Sequence, residues 1–176
     1  MWAAPKSCAQ DRVLLCAHGG GYALGSVYTH RKVYAHMAKA IGCRALIVHY
    51  GRAPENVHPG PVNDMVRSYK WLLDQGIRPG HVALIGDSAG GGLAVTTILR
   101  AREQGLPLPA ATMPLSPWLD MDADRRDVRD ECREGPYRYT RSHPGYGRNV
   151  SRRRRQPPGP ARQSPACGPE GLPADL

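Results

Sequence analysis

The residues Leu84 to Ala94, LIGDSAGGGLA, decide how this chain is read. Upstream, HVALI is a β-branched and apolar run bounded by Pro79-Gly80, the pattern of a buried strand. Downstream, GGLAVTTILRAREQG has the composition of a helix that stops at Gly105. A strand that turns sharply into a helix forces its apex residue into a strained backbone. Small residues must then flank the apex so that the two elements can approach. Ser88 stands at that apex, with Gly86 and Gly90 two positions away on either side and Asp87 and Ala89 next to it. The helix N-terminus aims free N–H groups at the same spot. The spacing is G-x-S-x-G, an elbow that would present Ser88 as a nucleophile. The plainer reading, Ser88 as a packing residue in a glycine-rich turn, has to be weighed against its context.

That context lies about seventy residues upstream in RVLLCAHGGGYALGS, Arg12 to Ser26. A second apolar run, Val13 to Ala17, ends in His18-Gly19-Gly20-Gly21-Tyr22. Consecutive glycines let backbone N–H groups converge on one point with no side chain in the way, as a site for a developing oxyanion requires. A merely flexible loop is the alternative, and its place at the end of a strand argues against it. The glycines around Ser88 are not a phosphate-binding P-loop, because no lysine follows them.

Taken in order, HGGGY, GDSAGGGLA and SPWLD (Ser116 to Asp120) resemble the hormone-sensitive-lipase family of α/β-hydrolases. The segment ALIVHYGRAPENVHPGPVNDMVRSYKWLL is similar to that family's strand, YRLAPE turn and following helix, with Gly51-Arg52 where Arg-Leu is usual. The resemblance runs from Arg12 to about Met121. It implies a carboxylic-ester hydrolase that works through a serine nucleophile and an acyl-enzyme. Ser88 would be the nucleophile, the N–H groups of Gly20, Gly21 and Ala89 would hold the oxyanion, and His18 would shape the glycine loop without acting as the base. Gly19, Gly86, Asp87 and Gly90 complete the motifs. The implied ligand is a small acyl ester, and no cofactor or metal is called for.

Strands are expected at Val13–Ala17, Ala45–His49, Val82–Ile85 and Ala111–Leu115, with helices at about Val27–Ile41, Pro61–Gln75 and Ala89–Glu103. Alternating elements of this length predict a parallel sheet with right-handed crossovers. The resemblance makes these the family's third to sixth strands, side by side as 4-3-5-6, so the expected fold is a partial α/β-hydrolase with both sheet edges unpaired. Met1 to Asp11 lacks the apolar core of a secretory signal, and no run approaches the roughly 20 apolar residues of a membrane span.

The composition breaks near Asp124, which divides the expected hydrolase domain (1–124) from a tail (125–176). The net charge of the chain is +9, and 12 of its 24 Lys plus Arg fall in that tail, all of them Arg. The tail also holds 8 of the 17 prolines and no Ile, Met, Trp or Phe. So few large apolar side chains cannot offset ordering entropy, which predicts disorder. One alternative is a basic arm for nucleic acid around Arg152–Arg155, which would make the chain a non-catalytic binding protein. The reading preferred here is a shifted reading frame. RQPPGPARQSPA, Arg155 to Ala166, can be read one nucleotide later as Gly-Asn-Pro-Gln-Asp-Pro-Leu-Ala-Asn-Pro-Leu. ADRRDVRDE from Ala123 can likewise become Pro-Thr-Gly-Ala-Thr-Tyr-Glu-Thr-Asn. Both products resemble what the family carries after SPWLD.

A serine needs a base to take its proton and a carboxylate to orient that base. In α/β-hydrolases both follow the serine. After Ser88 the sole histidine is His143, in the tail, so no base or acid is assigned, and the chain is expected to be an incomplete or inactive copy. Cys8, Cys16, Cys43, Cys132 and Cys167 are odd in number and contain no C-x-x-C, which excludes a zinc-ribbon pattern and favours a reducing, cytoplasmic compartment.

Overall fold

The computed structural model describes residues 1–121. It contains β1 (Trp2–Ala3), β2 (Val13–Ala17), α1 (Val27–Ile41), β3 (Arg44–Val48), α2 (Gly60–Asp74), a short 3-10 turn (Pro79–His81), β4 (Val82–Asp87), α3 (Ala89–Glu103) and β5 (Ala111–Leu115). The sheet order is β1-β3-β2-β4-β5. The four longer strands run parallel, in the 4-3-5-6 arrangement expected from the sequence. All five residues of β2 are buried, because the strand has a neighbour on each side and helices over both faces.

Side chains alternate cleanly between the faces of the sheet, as strand geometry requires. Val13, Leu15 and Ala17 of β2, with Val82 and Leu84 of β4, pack with Met65, Tyr69 and Leu72 of α2 and Leu93 and Ala94 of α3. Leu14 and Cys16, with Ala45 and Ile47 of β3 and Ile85 of β4, pack with Val27, Tyr34 and Ala38 of α1 on the other face. Each fully buried Leu or Ile contributes about 1.5–3 kcal/mol relative to exposure. Helix α1 begins in a capping box, Ser26 and Thr29 each accepting from the other's backbone N–H, and ends at Gly42 with φ 75°. Helix α2 opens with Pro61 in its first turn, where a missing N–H costs nothing.

Two features depart from expectation. The sheet is mixed, because β1 pairs antiparallel with β3 through Trp2↔Leu46 and Ala3↔Ala45, so the edge expected to be unpaired is covered for two residues. The Arg44 guanidinium lies 4.8 Å from the Trp2 ring centre, and Trp2 tilts against Trp71 at 6.2 Å, which fastens this short strand. Element bounds also shift by one or two residues: β3 is Arg44–Val48 where Ala45–His49 is expected, β4 runs on to Asp87 past Ile85, and α2 is Gly60–Asp74 where Pro61–Gln75 is expected. At the opposite edge β5 pairs with β4, and four of its five residues are exposed among the described residues. Among the described residues no helix is long and apolar enough to cross a membrane. The tail from 125 to 176, with Arg152–Arg155, His143, Cys132 and Cys167, lies outside the described residues.

Candidate active site

Ser88 sits between the last residue of β4 and the first of α3, with φ 52° and ψ −116°. A positive φ costs a non-glycine residue roughly 1–3 kcal/mol, so surrounding contacts must impose it. They are visible here. The Ser88 N–H donates to the Leu115 carbonyl at 2.9 Å, and its own carbonyl accepts from Gly92 N–H at 3.0 Å and Trp118 N–H at 2.9 Å. The side chain is left exposed at the C-terminal end of the sheet while Ala89 behind it is fully buried. The flanking glycines are required by contact: a Cβ on Gly90 would strike the Ala17 carbonyl, and one on Gly86 would strike the Gly90 carbonyl. Helix α3 therefore starts against the backbone of β2, with its positive dipole end at Ser88.

The glycine loop leaves β2 beside this elbow. Gly20 and Gly21 have φ 123° and 60°, a conformation that side chains rarely adopt. The Gly20 carbonyl accepts from Leu24 N–H at 2.7 Å and Ala23 N–H at 3.1 Å, closing the turn. Among the described residues no hydrogen-bond acceptor faces the N–H groups of Gly20, Gly21 or Ala89. Further along, Arg52 donates to the Gly25 carbonyl, and Ala53 N–H to the Tyr22 carbonyl at 2.8 Å.

His18 is fully buried, stacked on Tyr50 with ring centres 4.3 Å apart. Burial is the main cause that holds its pKa below the ordinary 6.5, partly opposed by the Gly19 carbonyl. The ring is therefore neutral, and Nδ1 lies 2.9 Å from the Gly19 carbonyl, the geometry of an Nδ1–H donor. The Tyr50 hydroxyl donates to the His18 carbonyl at 2.6 Å. The ring and backbone of His18 are thus engaged with Gly19 and Tyr50. Asp87 ties the two motifs together: its Oδ1 accepts Gly19 N–H at 3.0 Å and the Tyr34 hydroxyl at 2.9 Å, and its Oδ2 lies 3.5 Å from His30 Nε2.

The sequence-derived residues thus fall in one place: Ser88 at the apex, Gly86 and Gly90 where backbones cross, and Gly19, Gly20 and Gly21 on the adjoining loop bonded to Asp87. The SPWLD segment closes over them, with Pro117 against Gly91 and Trp118 against both Gly92 and the Tyr22 ring. Sequence reasoning missed Tyr34 and Tyr50. Tyr34 lies seven residues after buried Val27 on the same face of α1, and a buried tyrosine must find a partner for its hydroxyl. That was the available signal. Among the described residues no group of His, Cys, Asp and Glu could hold a metal ion.

Comparison with known proteins agrees with this fold. A family model described as α/β hydrolase fold matches residues 14–170. An acetyl-hydrolase of Streptomyces hygroscopicus is 48% identical over 121 residues, covering 68% of this chain and 40% of that protein. An esterase of Acinetobacter venetianus is 34% identical over 112 residues, 64% of this chain and 37% of that one. The crystal structure of an esterase from the bacterial hormone-sensitive lipase family superposes with a TM-score of 0.72 at 46% identity, over 77% of this chain and 46% of that one. The chain spans well under half the length of the curated relatives it matches.

Proposed function

The chain belongs to the α/β-hydrolase family, on its hormone-sensitive-lipase-like branch, and we propose that it carries the nucleophile half of a carboxylic-ester hydrolase site. The observation that carries this reading is Ser88: an exposed hydroxyl on a left-handed backbone at a helix N-terminus, beside a glycine loop bonded to the neighbouring Asp87. Ser88 Oγ would attack the ester carbonyl, and the N–H groups of Gly20, Gly21 and Ala89 would take up the negative charge of the tetrahedral intermediate. Collapse expels the alcohol and leaves an acyl-serine, which water hydrolyses to the free acid. The acetyl-hydrolase and esterase relatives support a small acyl group. Free thiols at Cys8, Cys16 and Cys43 support a reducing, cytoplasmic setting.

The proton of Ser88 needs a base, and the sole histidine after it is His143. Turnover by this chain is accordingly expected to be slow, within roughly 10³–10⁴-fold of the uncatalysed rate, which is what binding and an oxyanion site give alone. Added imidazole can stand in for the base. A nitrophenyl phosphonate ester should then phosphonylate Ser88 at a rate that rises with imidazole, read by peptide mass, and Ser88→Ala should take up no label. A label on another residue, or none at high imidazole, would overturn the assignment.

The reading also takes the segment after Asp122 as out of frame. Sequencing the gene across that point should show, one frame over, a continuation with a family-like carboxylate and histidine. An early stop in that frame would remove this part of the proposal.

A further inference from the structure

The placement of Asp87 and Tyr34 has a use beyond packing. Tyr34 stands on α1, and its hydroxyl reaches two strand ends at once: the Ala17 carbonyl at 2.7 Å, closing β2, and the Asp87 carboxylate at 2.9 Å, closing β4. The same carboxylate oxygen accepts Gly19 N–H. Ala17 leads directly into the glycine loop, and Asp87 leads directly into Ser88. We infer that Tyr34 and Asp87 form a positioning pair that sets the distance and angle between the oxyanion donors and the nucleophile. The inference rests on the reading of Gly20 and Gly21 as oxyanion donors.

Three features support a clamp over incidental packing. The Tyr34 side chain is almost fully buried, so its single O–H proton has no water to fall back on and is shared between these two acceptors. Burial, with the adjacent carboxylate, pushes its pKa far above the tyrosine range, so the hydroxyl keeps its proton and remains a donor. And Gly19 has no room for a side chain: a Cβ there would collide with Asp87 Oδ2, so loop and carboxylate are in direct contact. His30, four residues before Tyr34 on α1, faces Asp87 Oδ2 at 3.5 Å and completes the setting of the carboxylate. A donor misplaced by a fraction of an ångström loses most of its value in the transition state and little of it in the ground state.

The test uses the full chain and two readouts. In the first, hydrogen exchange of the Gly19 amide is followed by NMR, with the Leu15 amide in the centre of β2 as the internal control for folding. Tyr34→Phe, which removes one oxygen and keeps the ring, should speed Gly19 exchange roughly tenfold, the scale of one hydrogen bond. Asp87→Ala should do so by more, and Asp87→Asn, which keeps an acceptor oxygen, should recover part of the loss. In the second, imidazole-assisted phosphonylation of Ser88 should fall roughly tenfold in its maximal rate for Tyr34→Phe, with the half-saturating probe concentration unchanged. Gly19 exchange at the wild-type rate in Tyr34→Phe, with Leu15 still protected, would overturn the inference. If Tyr34→Phe exposes Leu15 as well, the Asp87 variants decide by the same criterion. Failure to label Ser88 in the wild-type chain would count against the nucleophile, while Gly19 exchange would still judge the clamp.

Discussion

Strands β2 and β5 lie two positions apart in one parallel sheet, yet they live in different solvents. Every residue of β2 is buried, and four of five in β5 are exposed, with Met113 at 44% and Leu119 just beyond it at 56%. Backbone pairing does not make the difference, since β4 bonds to both in the same register sense. Neighbours do. β2 has a strand on each side and helices over both faces, whereas among the described residues β5 has one strand neighbour, β4, and helix α3 against it. The elbow belongs to the buried side: its tightest contacts are with the backbone of β2, and β5 contributes one carbonyl, that of Leu115. The lesson is that the Ser88 turn is anchored from the centre of the sheet and borrows little from β5.

Substitutions at matched positions can break this contrast, and the largest effect is expected at the backbone crossing. Gly90→Ala would drive a methyl into the Ala17 carbonyl and should cost about 3 kcal/mol or more, the upper end of overpacking. On the open edge, Met113→Thr should stay within roughly 0.5 kcal/mol, as exposed substitutions usually do. Chemical denaturation of both variants checks the pair, and equal losses would remove the distinction.

A smaller contrast is expected from truncation. Leu15→Ala empties a site with no solvent access and should cost about 2–5 kcal/mol. Leu115→Ala, at a position 36% exposed, should cost under roughly 1 kcal/mol. Thermal melts in the same buffer would compare them, and a Leu115 loss matching that of Leu15 would mean β5 is covered in solution.

The smallest effect is in pH dependence, and it also belongs to the buried side. His18 is held below its ordinary 6.5, so the unfolded chain binds the proton first, and stability is complete above that value and falls as pH drops through it. Cys16 is raised above its ordinary 9.0, chiefly by burial, and Tyr34 above 10.0 for the same first reason. For these acids the unfolded chain ionises first, so stability is present below about pH 9 and lost above it. The melting temperature should therefore plateau between pH 6.5 and 9.0 and fall on both sides. Cys16→Ala should flatten the start of the alkaline limb. A steep slope inside the plateau would contradict the assignment.

Much of the fold was legible because its signals are local. VLLCA and VALIGD are continuous apolar runs, Ser26 and Thr29 cap α1, and G-x-S-x-G needs no partner to be seen. The bounds of β2, α1, α3 and β5 came out as read. What escaped depends on distant contacts. Two residues of β1 carry no strand pattern, and they pair only because β3 offers an edge and Arg44 a cation for Trp2. Asp87 looked like motif filling until the fold brought Gly19 and Tyr34 to it across 68 and 53 positions of sequence. A hydroxyl's partner is written in tertiary structure, so no periodicity could reveal it.

The sheet order β3-β2-β4-β5 has one more consequence, for how the chain is made. Of these four strands the innermost, β2, is made before the other three. β3 then docks on one flank of it, β4 on the other, and β5 on β4. Each arriving strand meets a finished edge, and none must be threaded between two that are already paired. Growth from β2 through β3, β4 and β5 thus needs no strand inserted between two others; β1, made earlier, waits for β3, and the elbow closes only when Leu115 and Trp118 have emerged to bond Ser88. Birth order and wiring agree among these elements: the Ser88 turn sets only after β5 has been made.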